Sequence, residues 1–212
     1  MGCDIHGRVQ RRYSETGKYS DIGPMEDDRN YKVFAMLAGV RNGFGFAGVA
    51  THSPLVPVSE PRGLPADLEL IDGDSVKLHR YNDDDKLVEY KEWLGDHSHS
   101  WLSLSEILAW DGWNMTLQMT GILSAEEFAR VEREGDKPRA WCGGVWGLNV
   151  TQVTAEQARA GEPHTHVSYE WTEPFAACVQ TFRKWLDYMA SKYDWLIEKD
   201  PQAIRLVFGF DS

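Results

Sequence analysis

Long apolar runs are missing from this 212-residue chain: none approaches the ~20 residues that a membrane helix needs, which argues against a helical membrane protein. The start carries neither the basic nor the apolar region of a signal peptide, so a soluble protein of the cytoplasm is the expectation. Cysteine is scarce. Cys3, Cys142 and Cys178 are odd in number and form no CxxC pair, which excludes a disulfide scaffold and a zinc ribbon and predicts reduced thiols. Positive charge is also short, with 22 Lys and Arg against 33 Asp and Glu and a net charge of -11. Such a surface repels nucleic-acid phosphates and excludes broad duplex binding. No GxSxG elbow or GK[ST] phosphate loop is present. The opening MGC lacks the Ser or Thr that myristoylation wants at position 6, where His6 stands, so no lipid anchor is expected.

What is present suffices for a core. Hydrophobic residues make up 42% and aromatics 12%, nine of them Trp, so folding requires no metal or disulfide staple. Residues 1–212 read as one α+β domain, with an antiparallel or mixed sheet packed by a few helices. The stretch CDIHGRVQRRY alternates as a strand, with Ile5 and Val9 on one face and Asp4, His6 and Arg8 on the other, and KYSDI can return as its hairpin partner. Asp28 or Asn30 can cap a short helix through Tyr31, Phe34, Leu37 and Ala38 that Gly39 stops. Residues 41–66, rich in glycine and proline, read as a long ordered loop or lid. DSVKLHRY suggests a short strand, and DDDKLVEYKEWLG is ambiguous between strand and helix. Ser103 with Glu106, and Ser124 with Glu127, have capping-box spacing.

WCGGVWGLNVTQV reads as a buried strand with a glycine bend, which would make Cys142 a core residue, as Cys178 would be, and THVSYEW as another strand. From Phe175 to Leu196 apolar residues recur on one helical face, giving a long amphipathic C-terminal helix, and IRLVFGF alternates as a final strand with one buried face.

Five of the seven histidines fall in HxH or DxH arrangements: His6 with Asp4, His97 with His99, and His164 with His166. On a strand this spacing turns both side chains to one face, as a metal site needs. Asp4, His6, His97 and His99 are therefore the metal candidates, for zinc, manganese or magnesium, with Asp96 and His97 the catalytic candidates. The alternative reading leaves Asp96 to Ser100 a polar loop whose side chains bond backbone. Gly95 and the Ser103 cap would hold that loop at the rim or floor of the main pocket. Arg29, Arg41 and Arg62 are cations in turn-rich or helix-edge segments; Arg41, Asn42, Arg62 and Trp101 are the ligand-binding candidates, for a small anionic or nucleotide-like molecule.

Motif order resembles, in fragments, the calcineurin-like metallophosphoesterases: DIHG fits, but GDSVK lacks a second Asp, GDHS has Asp for Asn and PHTH lacks the Gly. A longer set, MGCDIHGRV, RNYKVFAMLAGVRN, PRGLPADL and GDHSHSWLSLSEIL in this order, resembles a family of uncharacterised phage and prophage proteins. That resemblance covers about the first half and implies an accessory protein made in a bacterial cytoplasm, with no established reaction. Two functions follow as expectations. One is a metal-assisted hydrolase of a phosphoester or nucleotide-like molecule such as a host defence signal. The other is a non-catalytic binder that sequesters such a ligand or occludes a host protein.

Overall fold

The computed structural model describes every residue except Met1, Thr16, Asp27 and Asp74, together with the side chain of Phe46. The fold is α+β, as the mixture of periodicities predicts. Its centre is an antiparallel sheet ordered β2 (Ser20–Pro24), β1 (Asp4–Arg11), β10 (Ile204–Asp211), β6 (His97–Ser103). On β10 the residues Ile204, Leu206, Phe208 and Phe210 meet Val9 and Ile5 of β1 in register, which places all of them on one face. Helix α1 (Tyr31–Ala38) and helix α6 (Gln180–Ile197) pack there, and the resulting core includes Phe34, Leu37, Leu186 and Phe208.

The final strand does not have a single buried face. Its other side is also covered, because it lies between β1 and β6 under a second sheet of β3 (Leu70–Ile71), β4 (Ser75–Tyr81) and β5 (Leu87–Trp93). Val207 meets Val76, Leu78 and Leu94 in that layer. Arg205 is buried there too, paired with Asp67 through two bonds of 2.8 Å and with Gln10 at 2.8 Å. The ambiguous DDDKLVEYKEWLG segment supplies β5, so cross-strand pairing with β4 decides in favour of strand.

Asn30 caps α1 by accepting from the Lys32 N–H at 3.0 Å, and Gly39 ends the helix with φ of 68°. The capping box at Ser103 forms in full and starts α2 (Leu104–Leu108). A third sheet joins β7 (Thr116–Ser124), β9 (His166–Pro174) and the parallel β8 (Gln152–Thr154). Helices α3 (Ala125–Glu134) and α4 (Ala155–Arg159) associate with it, Leu123 and Val167 packing on Phe128 and Val131 of α3. Ser124 caps α3 through the Glu127 N–H at 3.1 Å.

Further sequence expectations need correction. The stretch Asp96 to Ser100 is not a loop; from His97 onward it belongs to β6, because β10 offers an open edge that pairs with it. WCGGVWGLNVTQV is not a buried strand: only Gln152–Thr154 pairs in a ladder, Trp146 and Leu148 are exposed, and a single bridge joins Cys142 to Ile122. Its glycines leave the backbone without the side chains a strand would pack. Cys142 is accordingly exposed and Cys178 only half-buried, rather than both being core. The C-terminal helix is also divided, into α5 (Phe175–Cys178) and α6, at Val179 with φ of -123° and ψ of 32°.

The 41–66 segment is stitched to the body. The Asn42 amide donates to the Leu55 carbonyl at 2.7 Å and accepts from its N–H at 2.9 Å, while Val58, Arg62 and Gly63 bond to Met36, Ser100 and His99.

Candidate functional site

Asp4 and His6 leave the same face of β1, as alternation requires. Both meet the end of β10: the Asp4 N–H donates to Asp211 Oδ1 at 2.9 Å, and His6 Nε2 lies 3.2 Å from Asp211 Oδ2. The His6 ring packs on Trp93 with centroids 4.3 Å apart. Arg29 grips the Asp4 carboxylate through both oxygens, and this contact holds its pKa below the usual carboxylate value.

The two histidines of HSH part company. Register shifts between Phe208 and Phe210, so Ser98 and His99 bulge opposite Gly209, with Ser98 at φ of 52°. His97 stacks on Phe210, centroids 6.1 Å apart, with Nδ1 3.0 Å from the Ser98 hydroxyl. The His99 ring covers Gly209, where a Cβ would meet its Cδ2 at 2.7 Å and the Leu94 carbonyl oxygen at 2.1 Å. Phe210 and Gly209 are consecutive on a strand, so the rings lie on opposite faces of the sheet. His6 pairs with Gly209 in register, so His6 and His99 flank one residue on a shared face. His99 Nε2 donates to the Gly95 carbonyl at 3.1 Å. Asp96 is exposed and held by its N–H on the Phe210 carbonyl at 2.8 Å. Among the described residues no group of three or more His, Cys, Asp or Glu side chains is disposed to hold a metal ion.

The ligand-binding candidates disperse among structural partners. Arg41 reaches the Gly2 carbonyl at 3.4 Å and lies over the Tyr31 ring. Arg62 pairs with Glu106 at 2.8 Å, bonds Ser59 at 2.9 Å and lies over the Trp101 ring. Trp101 also lines a cavity of about 440 Å³ with Arg12, Tyr19 and Arg205, whose guanidinium groups are paired with Asp200 and Asp67.

A larger cavity, of about 740 Å³, lies elsewhere and receives none of Asp96, His97 and His99. Three segments build it: the entry to α1 with Arg29 and Lys32, the glycine-rich stretch through to His52, and the irregular loop carrying Trp141 and Trp146. Arg29 therefore joins this cavity to the Asp4 cluster. Lys32 has no hydrogen bond or ion pair among the described residues, and burial pushes its amine below the ordinary lysine value. His52 is 5% exposed, and its Nδ1 lies 2.9 Å from the Ser53 carbonyl. A carbonyl only accepts, so Nδ1 carries the proton and Nε2 keeps a lone pair. That Nε2 is buried, with no hydrogen-bond partner among the described residues. Burial, with the nearby Lys32 charge adding to it, pushes the His52 pKa down and keeps the ring neutral at pH 7. Opposite these polar groups, Trp146 is 83% exposed and Trp141 packs over Gly121.

Sequence reasoning marked Arg29 and the glycine-rich stretch but missed Lys32, His52, Trp141 and Trp146. The available signal was WCGGVW itself, two tryptophans around a glycine pair that cannot support a strand. Compared with family models, curated proteins and solved structures, the chain matches none.

Proposed function

We propose that the chain binds a small anionic, nucleotide-like ligand in the 740 Å³ cavity and sequesters it without turnover. The observation that carries this reading is Lys32: a cation desolvated by burial, with no bonded or ion-paired carboxylate among the described residues and Glu173 acting on it only through space, in a cavity that also offers exposed aromatic surface. An ammonium kept in this way is costly to the fold unless a ligand supplies the counter-charge. Trp146 and Trp141 supply faces on which a base can stack, worth about 1–3 kcal/mol per base in other proteins. The resemblance to phage-encoded proteins supports placing this binding in a bacterial host cytoplasm, with a host defence signal as the ligand. Calorimetric titration with linear and cyclic nucleotides tests it: saturable binding is expected, with intact ligand recovered after denaturation. New products on recovery would replace sequestration by hydrolysis.

The His6 and Asp211 pair favours a second reading, a metal-assisted phosphoester hydrolase in which His6, oriented by Asp211, takes a proton from water. Assaying phosphoester cleavage with added zinc, manganese or magnesium tests it, and an unchanged rate in His6→Ala would refute it.

A further inference from the structure

We infer that β5 is a dimer interface: two copies of this chain join edge to edge along Leu87–Trp93, about a two-fold axis at Tyr90, and so merge their second sheets into one. That sheet ends at β5, whose far edge bonds to no other backbone among the described residues. A long, regular edge of this kind is a template for another strand, and charged side chains are a usual device against such pairing. Here the charges are Glu89 and Lys91, which oppose one another in sign.

The hairpin fixes which backbone groups face outward. The Asn82 N–H donates to the Lys86 carbonyl at 2.9 Å, and bonded and non-bonded pairs alternate along an antiparallel ladder. Followed along the register from there, Val88, Tyr90 and Glu92 bond to β4, while Leu87, Glu89, Lys91 and Trp93 aim their N–H and C=O groups away from it. The side chains of these four also share the exposed face of the sheet. A second β5 running antiparallel can pair all four in one register, with Leu87 opposite the partner's Trp93 and Glu89 opposite the partner's Lys91. A slip of two residues would set Glu89 against the partner's Glu89, or Lys91 against the partner's Lys91, and like charges directly opposite are destabilising. The strand therefore selects its own register.

Neighbouring residues favour the same arrangement. Lys91 stands directly opposite Lys77 within the sheet and pairs with Asp72, so the partner's Glu89 would bring it a second carboxylate on its open side. Leu87 and Trp93 are 45% and 40% exposed, and Tyr81, 52% exposed, is paired with Leu87 in register. Joining the copies sets Tyr81, Leu87 and the partner's Trp93 in one row, which removes apolar surface from water at both ends of the interface. A two-fold pairing of one edge with itself closes at the dimer and leaves no β5 edge open for further growth.

Sedimentation equilibrium over a wide concentration range tests the inference. The wild type is expected to double its mass as concentration rises. Glu89→Lys and Lys91→Glu each set like charges across the interface and should be monomeric alone. Mixed in equal amounts they should form a dimer, because each then supplies the charge the other lacks. A wild type that stays monomeric at every concentration overturns the inference, as does a dimer that both variants retain, or a pair of folded variants that remain apart when mixed. A bound peptide found on the edge in place of a second copy, by native mass spectrometry, overturns it as well. Should a variant fail to fold, amide hydrogen exchange of the wild type decides: on concentration, Leu87, Glu89, Lys91 and Trp93 should slow roughly tenfold, and more than Val88, Tyr90 and Glu92, which β4 already protects. Exchange at those four that is the same at low and high concentration would overturn it.

Discussion

Replacing Lys32 with Met should make the protein more stable and worse at binding. Met retains an unbranched apolar stem to pack along the first turn of α1, and removes only the ammonium. That ammonium is desolvated and carries no hydrogen bond or ion pair among the described residues, so its removal relieves a penalty without stranding a partner. A gain of about 1 kcal/mol is reasonable for relief at a functional site, which for a chain of this size raises Tm by about 2–4 °C. The pH dependence has a definite sign. Burial lowers the folded-state pKa of Lys32 below its unfolded value of 10.5, so the unfolded chain binds more protons between the two values. The penalty is full below the folded pKa and fades as pH rises through it toward 10.5. The wild type should therefore close its stability deficit against Lys32→Met as the solution becomes alkaline. Nucleotide at a hundredfold excess over Kd should stabilise the wild type by about 2.7 kcal/mol and the variant far less. Thermal unfolding followed by circular dichroism, with and without adenosine monophosphate, measures all three effects. A lower Tm for Lys32→Met at pH 7 would refute the reasoning, since it would mean that the ammonium is compensated in the folded state.

Trp146→Ala should leave unfolding within about 0.5 kcal/mol of the wild type, because the side chain is exposed, yet weaken nucleotide binding roughly fivefold or more; calorimetry and urea denaturation read the two separately. Gly209→Ala should cost about 3 kcal/mol in a urea titration, since its Cβ would meet the Leu94 carbonyl oxygen at 2.1 Å, a backbone atom that cannot swing aside. Glu106→Gln should lower stability at neutral pH by about 1 kcal/mol through its Arg62 and Ser103 partners. Burial raises the Glu106 pKa, but Arg62 and the Ser103 bonds more than offset it, so the folded value lies below 4.5. The carboxylate contribution is thus complete above pH 4.5 and lost as pH falls through the folded value; a wild-type advantage that stays constant down to pH 3 would contradict this.

Elements whose signals are local were legible. Asn30 and Gly39 bound α1 because capping and left-handed termination are properties of single residues, and the Ser103 box marks α2 for the same reason. Asp4 and His6 share a face because alternation is a property of one strand. Burial of both faces of β10 was not legible, since Val207 is covered by a sheet formed more than a hundred residues earlier and Arg205 pairs with Asp67, 138 residues away. The cavity was illegible for a related reason. His52, Lys32 and Trp146 belong to segments with no shared periodicity, and only the pairing of residues 51–53 with β7 brings the first of them to a wall.

The histidine pair in GDHSHS shows how a local rule and a distant constraint compete. Two-residue spacing would place His97 and His99 on one face of β6, where a metal site could use both. The constraint is the close crossing between residues 94–95 and the end of β10: a Cβ on Gly95 would lie 2.4 Å from the Phe210 carbonyl oxygen, and one on Gly209 lies against Leu94. Chain that enters so near β10 cannot keep a regular two-residue step beside it, and the extra residue is accommodated at Ser98 with φ of 52°. That bulge sends His97 to the Phe210 side and His99 to the His6 side. Deleting Ser98 would remove the bulge and leave His99 opposite Gly209 and His97 opposite Phe210, so the two rings, now on neighbouring residues, would still face opposite ways. The glycines at 95 and 209 therefore decide the fate of the histidines more than their own spacing does.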